Sequence, residues 1–172
     1  MREDRIANAA GEDPAIEPGI RAARSPRDIE LARALFMEYA QGLGVDLCFQ
    51  EFDDELASLP GAYAPPRGRL LLAGAPGIAF GCIALRPLDD LAGEVKRMYV
   101  QPAHRGEGWG RRLALEIIAQ ARVAGYRELK LDTLAQLRAA RELYADLGFR
   151  ECAPYYANPL PDVVYMTKRL VT

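Results

Sequence analysis

Apolar residues recur at helical spacing in several stretches of the chain. In the first, from Ile29 to Tyr39, they fall three or four positions apart, the period that places them on one face of an α-helix. Just before it, Ser25, Pro26 and Asp28 form the pattern of an N-cap, a first-turn proline and a capping carboxylate. The pattern therefore predicts a helix that begins after Ser25 and ends near Gly42.

Two further helices are predicted from similar signals. A short one is expected from Gln50 to Ser58, because residues 59–61 read Leu-Pro-Gly and would stop it. A longer one is expected from Arg111 to Ala124, where apolar residues share one face and a glycine follows the last turn.

The last predicted helix starts with a capping-box pattern. Thr133 is followed three residues later by Gln136. Apolar residues at helical spacing continue from Leu137 to Leu147, and Gly148 occupies the place of a C-terminal glycine. We therefore expect a helix that begins after Thr133 and ends at Gly148.

Strand-like runs occupy most of the remaining sequence. Two of them, Arg69–Ala73 and Ile78–Leu85, flank a turn from Gly74 to Gly77 and predict a β-hairpin. Another runs from Glu94 to Val100. The later strand-like runs are residues 128–132, 149–155 and 163–169.

The predicted elements follow the order β-α-α-β-β-β-α-β-α-β-β. Antiparallel hairpins precede a β-α-β crossover, so the expected fold class is α/β, with a mixed sheet and helices on both faces. Residues 20–172 have the length of a single domain. Residues 1–19 are rich in charge, alanine, glycine and proline, and we expect them to form a flexible or peripheral extension.

Composition narrows the possible partners. The formal net charge of −2 argues against a nucleic acid or an anionic membrane as the main partner. No apolar run reaches membrane-spanning length and the N-terminus lacks a signal-peptide core, so we expect a cytoplasmic protein. The three cysteines form no Cys-x-x-Cys pair and accompany one histidine, so no metal site is expected.

The most informative stretch is the turn between the strand ending at Val100 and the helix starting near Arg111. It carries glycines at alternate positions, Gly106, Gly108 and Gly110, which let the backbone approach a ligand closely. The helix that follows supplies unpaired N–H groups and the positive end of its dipole. A strand, a glycine-rich turn and a helix N-terminus together predict an anion site, most often one for phosphate.

The spacing of this turn matches neither the Walker loop, which needs Lys-Ser or Lys-Thr after its last glycine, nor the dinucleotide fingerprint Gly-x-Gly-x-x-Gly. What remains is Arg105-x-x-Gly108-x-Gly110, preceded by Met98 to Pro102. This closely resembles the pyrophosphate-binding motif of the GNAT superfamily of acyl-CoA N-acyltransferases. The segment Leu143 to Phe149, with a Leu-Tyr pair before a Gly-Phe, resembles the second recurring motif of that superfamily.

The resemblance covers residues 20–170 and implies the GNAT fold with acetyl-CoA as cosubstrate. It implies that Arg105 pairs with a phosphate of coenzyme A, and that main-chain groups of Met98, Tyr99 and Val100 pair with the pantetheine arm and polarise the thioester carbonyl. The backbone N–H donors that it implies for the pyrophosphate are those of Gly106, Gly108, Trp109, Gly110 and Arg111. For the Trp109 ring, packing over the helix start is an equally good interpretation.

The resemblance also implies roles in the chemistry. Tyr144 matches the tyrosine that protonates the departing thiolate, and a phenol is protonated at neutral pH. Glu94 is the candidate general base, although it can also be a solvated strand end beside Lys96. If this strand pairs regularly, Glu94, Lys96, Met98 and Val100 share one face. The superfamily often has an asparagine at the position of Leu137, so one cofactor hydrogen bond is in doubt.

The expected function is therefore transfer of an acetyl group from acetyl-CoA to a primary amine of a small molecule, directly and in a ternary complex. One alternative is a protein or peptide amine as acceptor. Another is a non-catalytic module that binds acetyl-CoA, and a third is a phosphate-binding domain unrelated to coenzyme A. A monomer and a homodimer are both compatible with the sequence.

Overall fold

The computed structural model of the protein describes residues 17–44, 46–47 and 51–170. Within these residues, one mixed sheet has the strand order β1-β2-β3-β4-β5-β7-β6. The strands are β1 (Gly19–Ala22), β2 (Arg69–Gly74), β3 (Gly81–Pro87), β4 (Ala92–Val100), β5 (Glu128–Leu134), β6 (Arg150–Glu151) and β7 (Val163–Arg169). The helices are α1 (Pro26–Leu43), α2 (Phe52–Ser58), α3 (Trp109–Val123) and α4 (Arg138–Asp146). The predicted order of elements is confirmed.

The helices cover both faces of the sheet because the strand residues alternate between two apolar cores. Leu71, Ile83 and Val95 belong to the core on the α3 and α4 face. Leu70 and Ala84 belong to the core on the α1 and α2 face. None of the helices described is long and apolar enough to cross a membrane.

The start of α1 forms as its sequence predicts. The Ser25 hydroxyl accepts a hydrogen bond from the Asp28 N–H at 3.1 Å, and the Asp28 carboxylate accepts one from the Ser25 N–H at 3.2 Å. The helix ends at Leu43, one residue beyond the predicted Gly42, and Gly44 caps it in the left-handed conformation.

A β-bulge interrupts the pairing of β3 with β4. Cys82 pairs with Tyr99 and Ala84 with Lys96, so two residues of β4 oppose one of β3. Arg97 lies in the bulge with a φ of 57°. As a result Met98 packs against the α3 and α4 core, as does Val100, whereas Lys96 stays opposite Ala84 on the α1 and α2 face. The expectation that Glu94, Lys96, Met98 and Val100 share a face is therefore wrong.

Strands β4 and β5 pair in parallel over three residues only. Ala92–Glu94 pairs with Glu128–Lys130, and beyond this point no register partners join the two strands. The remainder of each strand keeps its other neighbour, β3 for β4 and β7 for β5. The sheet is therefore open along one line in its middle.

Several predicted boundaries differ from the structure. Strand β5 continues to Leu134, so Thr133 is a strand residue, and α4 begins at Arg138 without a side-chain cap. Pairing with β7 explains this, because Thr133 lies opposite Val164 in the ladder. Strand β6 is also shorter than the predicted run 149–155. Of the predicted N-terminal extension, residues 1–16 lie outside the described residues, and Gly19 already belongs to β1.

We expect Ser25→Ala to lower the free energy of unfolding by about 1 kcal/mol, because the Asp28 N–H loses its acceptor at the start of α1. Chemical denaturation monitored by circular dichroism would measure it. The matched control is Ser58→Ala at the exposed end of α2, for which a change within about 0.5 kcal/mol is expected. Equal effects of the two substitutions would contradict the role of the cap.

Candidate active site

A cleft opens where β4 and β5 separate, and it reaches both faces of the sheet. Its walls include residues 95–98 of β4 and residues 132–134 of β5. From the α1 and α2 face, Tyr39 and Leu43 line it, and from the opposite face Tyr144 of α4 does so. Side chains from both faces of the sheet therefore line one opening between the strands.

The glycine-rich turn places free N–H groups at the start of α3. Gly106 and Gly108 have φ values of 81° and 83°, a conformation that glycine adopts without strain. Gly108 is the N-cap and provides no side chain to cap the helix. Among the described hydrogen bonds, none runs from a backbone N–H of residues 106–111 to a protein acceptor. These donors and the dipole of a 15-residue helix suit an anion such as a pyrophosphate.

Arg105 and Trp109 flank this turn in different ways. Arg105 is exposed, and its Nε donates to the Val100 carbonyl at 2.9 Å, which leaves the rest of the guanidinium beside the turn. Trp109 is 7% exposed and its ring lies 5.0 Å from that of Phe80, with the Arg112 guanidinium 3.9 Å above it. The Trp109 ring thus packs over the helix start, whereas its main chain contributes to the turn.

Tyr144 and Met98 meet in the cleft. The Tyr144 hydroxyl donates to Met98 Sδ at 3.4 Å, so α4 contacts β4 directly after the bulge. Burial, together with Tyr39 and Asp132, raises the pKa of Tyr144 well above its ordinary value. The phenol is therefore protonated at physiological pH.

Glu94 is buried and is not the solvated strand end that its position in the sequence allows. Its carboxylate is 1% exposed and forms an ion pair with Arg86 Nε at 2.7 Å. The Tyr155 hydroxyl donates to it at 2.9 Å, and Lys96 Nζ lies 3.5 Å away. Three donors thus surround this nearly fully buried carboxylate, which places them between it and the cleft or solvent.

An ion pair spans the cleft two residues beyond Glu94 and Lys130, the last paired residues of β4 and β5. Lys96 Nζ lies 3.2 Å from Asp132 Oδ1. Asp132 Oδ2 accepts from the Tyr156 hydroxyl at 2.6 Å and from Asn158 Nδ2 at 3.2 Å. Burial would raise the pKa of Asp132, but Lys96 and the hydrogen bond from Tyr156 outweigh it and hold that pKa below its ordinary value. Asp132 is therefore ionised at neutral pH.

A second buried ion pair holds the bulge. Arg97 makes a two-pronged contact with Glu55 of α2, with Nε–Oε1 and Nη2–Oε2 distances of 2.9 and 2.8 Å. The Tyr63 hydroxyl also donates to Glu55 at 2.9 Å. Burial opposes ionisation of Glu55, but the Arg97 guanidinium outweighs it and lowers the pKa of that carboxyl. Both partners are thus charged in the folded protein.

Sequence reasoning missed both of these ion pairs. Lys96 and Asp132 are 36 positions apart, and Glu55 and Arg97 are 42 apart. The signal that could have indicated the first is the parallel register: Glu94 pairs with Lys130, so the next residues on the same face, Lys96 and Asp132, lie opposite each other. No comparable local signal links Glu55 to Arg97.

Comparisons with known proteins agree with this geometry. Residues 66–151 match the family model for the acetyltransferase (GNAT) domain. An uncharacterized N-acetyltransferase of Schizosaccharomyces pombe is 44% identical over 149 residues, which cover 86% of this chain and 91% of that protein.

Solved structures show the same fold. A GNAT-family acetyltransferase of Staphylococcus aureus superposes with a TM-score of 0.74 at 20% identity, over 90% of this chain and all (100%) of that chain. A putative acetyltransferase of Salmonella typhimurium, solved with its cofactor acetyl-CoA, gives a TM-score of 0.64 at 21% identity over 91% and 96% of the two chains. The chain therefore belongs to the GNAT superfamily and is an N-acetyltransferase.

Proposed function

We propose that the protein binds acetyl-CoA at the glycine-rich turn and transfers its acetyl group directly to a primary amine of a small molecule. The observation that carries the proposal is the cleft between β4 and β5. It brings a buried phenol, Tyr144, and an ionised carboxylate, Asp132, to the same opening from two sides of the sheet. Acyl transfer to an amine needs a proton donor for the leaving group and a site for a cationic acceptor.

The chain offers partners for two parts of coenzyme A, the pyrophosphate and the pantetheine arm. The free N–H groups of residues 106–111 and the exposed Arg105 suit its pyrophosphate. Beyond Glu94, the edge of β4 that faces β5 has no strand partner. Main-chain groups of Met98, Tyr99 and Val100 are therefore the proposed partners of the pantetheine arm, and one N–H of this segment polarises the thioester carbonyl.

The proposed step balances protons as follows. The amine nitrogen bonds to the acetyl carbon while the carbon–sulfur bond breaks, and its electron pair leaves on sulfur. Tyr144 gives its hydroxyl proton to that sulfur, and the proton that the nitrogen loses as the amide forms returns to Tyr144 through solvent. The ammonium proton of the acceptor passes to Glu94, and the Tyr155 hydroxyl, which donates to Glu94, is the proposed relay.

Calorimetric titration with acetyl-CoA and with CoA tests the cofactor, and a screen of small amines that measures release of free thiol tests the reaction. We expect a dissociation constant for acetyl-CoA in the micromolar range and CoA release with at least one amine. Absence of binding would overturn the proposal. Binding without thiol release for any amine, including an N-terminal peptide, would instead favour a non-catalytic acetyl-CoA-binding module.

Tyr144→Phe should lower kcat by about 10²- to 10⁴-fold, the usual effect of losing a general acid. Affinity for acetyl-CoA should change little, because only the hydroxyl that contacts Met98 is removed. Steady-state kinetics and calorimetry measure the two effects separately. Tyr126→Phe is the matched control, since that hydroxyl bonds the Arg67 carbonyl outside the cleft. An unchanged kcat for Tyr144→Phe would show that this tyrosine only packs.

Arg105→Ala should weaken acetyl-CoA binding by about 1–3 kcal/mol, the range for a charge-assisted hydrogen bond. The loss should shrink at high salt because the arginine is exposed. The control is Arg122→Ala, which removes an exposed arginine from the other end of α3. Equal affinities of the two variants would remove Arg105 from the phosphate site.

Glu94→Gln should lower kcat and flatten the acidic limb of the pH–rate profile. In the native protein that limb falls as the base becomes protonated, and a glutamine cannot titrate. The substitution also leaves Arg86 and Lys96 short of a partner, so unfolding is measured in parallel. Glu142→Gln on the exposed side of α4 is the control. An acidic limb that survives in Glu94→Gln would mean that another group is the base.

A further inference from the structure

The ion pair between Lys96 and Asp132, which spans the cleft, has hydrogen-bonding capacity left on both its donor and its acceptor. A lysine ammonium has three N–H donors, and the described partners of Lys96 Nζ are two, Asp132 Oδ1 and Glu94 Oε1. Asp132 Oδ1 has one described side-chain donor, Lys96, and a carboxylate oxygen can accept more than one hydrogen bond. The Asp132 backbone also donates to this carboxylate, and the Tyr156 ring lies 5.8 Å from Lys96 Nζ. Beyond the described hydrogen bonds, Nζ retains an N–H and Oδ1 retains acceptor capacity, on atoms 3.2 Å apart.

Both groups belong to the wall of the cleft, although they are nearly buried. The side chains are 5% exposed for Lys96 and 11% for Asp132, and each lines the opening between β4 and β5. Charges at such depth are poorly screened by salt, and each strongly favours a ligand group of the opposite charge. Both side chains thus line the opening in which the proposed acceptor would lie.

A simple amine matches only half of this pair. Its ammonium can bind Asp132, but it then brings a second positive charge next to Lys96. A molecule with an ammonium and a carboxylate on one carbon offers a partner to each, and its two charges are about as far apart as those of Lys96 and Asp132. The pair therefore complements a zwitterion better than it complements a cation.

The rest of the wall on this side is mostly apolar. It includes Tyr39 and Leu43 of α1, Leu47, and Leu160 in the connection from β6 to β7. Asn158 and Arg97 are polar members of this wall and already have partners: the Asn158 amide donates to Asp132, and the Arg97 guanidinium donates to Glu55. An aliphatic side chain buried against this wall would gain hydrophobic contact without leaving a polar group unpaired.

We propose that the acceptor is a free α-amino acid with an apolar side chain, held by its carboxylate on Lys96 and by its ammonium on Asp132 until that nitrogen is deprotonated. The inference rests on the proposed function, since it names the substrate class of that reaction. The product is the N-acetylated amino acid, which has lost its positive charge and with it the contact to Asp132, so it leaves the cleft more readily than the substrate.

Three amines that share one side chain test the proposal: leucine, leucinamide and 3-methylbutylamine. Leucinamide keeps the amine but lacks the carboxylate charge, and 3-methylbutylamine lacks the carboxyl group altogether. With acetyl-CoA at saturation, we expect kcat/KM for leucine to exceed that of either analogue at least tenfold. Calorimetry on the protein saturated with CoA provides a readout without turnover, and there leucine should bind at least tenfold more tightly than 3-methylbutylamine.

The variant Lys96→Met removes the cationic half of the pair and keeps the length of the side chain. In it the preference for leucine over 3-methylbutylamine should fall to within about threefold. The control Lys168→Met, on β7 outside the cleft, should keep the native preference. If Lys96→Met does not fold, the comparison of the three amines on the native protein still decides.

The outcomes separate the two proposals. Turnover of 3-methylbutylamine or leucinamide as efficient as that of leucine overturns this inference and leaves the acetyltransferase proposal intact. Failure of the CoA-saturated protein to bind leucine also overturns it. Failure to bind acetyl-CoA, by contrast, overturns the proposed function itself.

Discussion

The buried ion pair between Glu55 and Arg97 fixes the part of β4 on which the active site depends. Arg97 keeps a left-handed backbone, which is costly for a residue with a side chain, and the two-pronged contact with α2 compensates for it. The side chains are 12% and 2% exposed, and loss of one partner of such a pair costs about 3–5 kcal/mol. Because the bulge follows from this contact, Met98 faces Tyr144 and not α1. A helix on one face of the sheet thus sets the geometry on the other.

The opening in the sheet is also held by contacts between side chains. After Ala92–Glu94 the ladder between β4 and β5 stops, and side chains replace the missing backbone bonds. On one face the Lys96–Asp132 pair joins the strands, and on the other the contact of Met98 with Tyr144 joins β4 to α4. The unpaired main-chain groups would be costly in an ordinary sheet, and they are the proposed partners of the pantetheine arm. The site is therefore built from an interruption of regular structure, held open by specific side chains.

The sequence predicted the elements well and their mutual contacts poorly. Apolar period, caps and glycines are local signals, so the order of strands and helices and the capping box at Ser25 could be predicted. Tyr144 and the glycine-rich turn could be proposed as site elements because they lie in short motifs. The side of the sheet on which Met98 lies differs from the expectation, because the β-bulge at Arg97 reverses it. The ion pair that holds Arg97 joins it to Glu55, 42 positions away in sequence. The start of α4 was mistaken because Thr133 gains more from pairing with β7 than from capping a helix. The acceptor side depends on contacts between distant segments and has no motif.

The packing of Trp109 has a practical consequence for spectroscopy. The chain contains one tryptophan, and its indole lies at the first residue of α3, between Phe80 and the Arg112 guanidinium. The free N–H groups of residues 106–111 include its own backbone N–H. Tryptophan fluorescence therefore arises from a single indole beside the proposed anion site, and its quenching or spectral shift would report occupancy of that site in unlabelled protein.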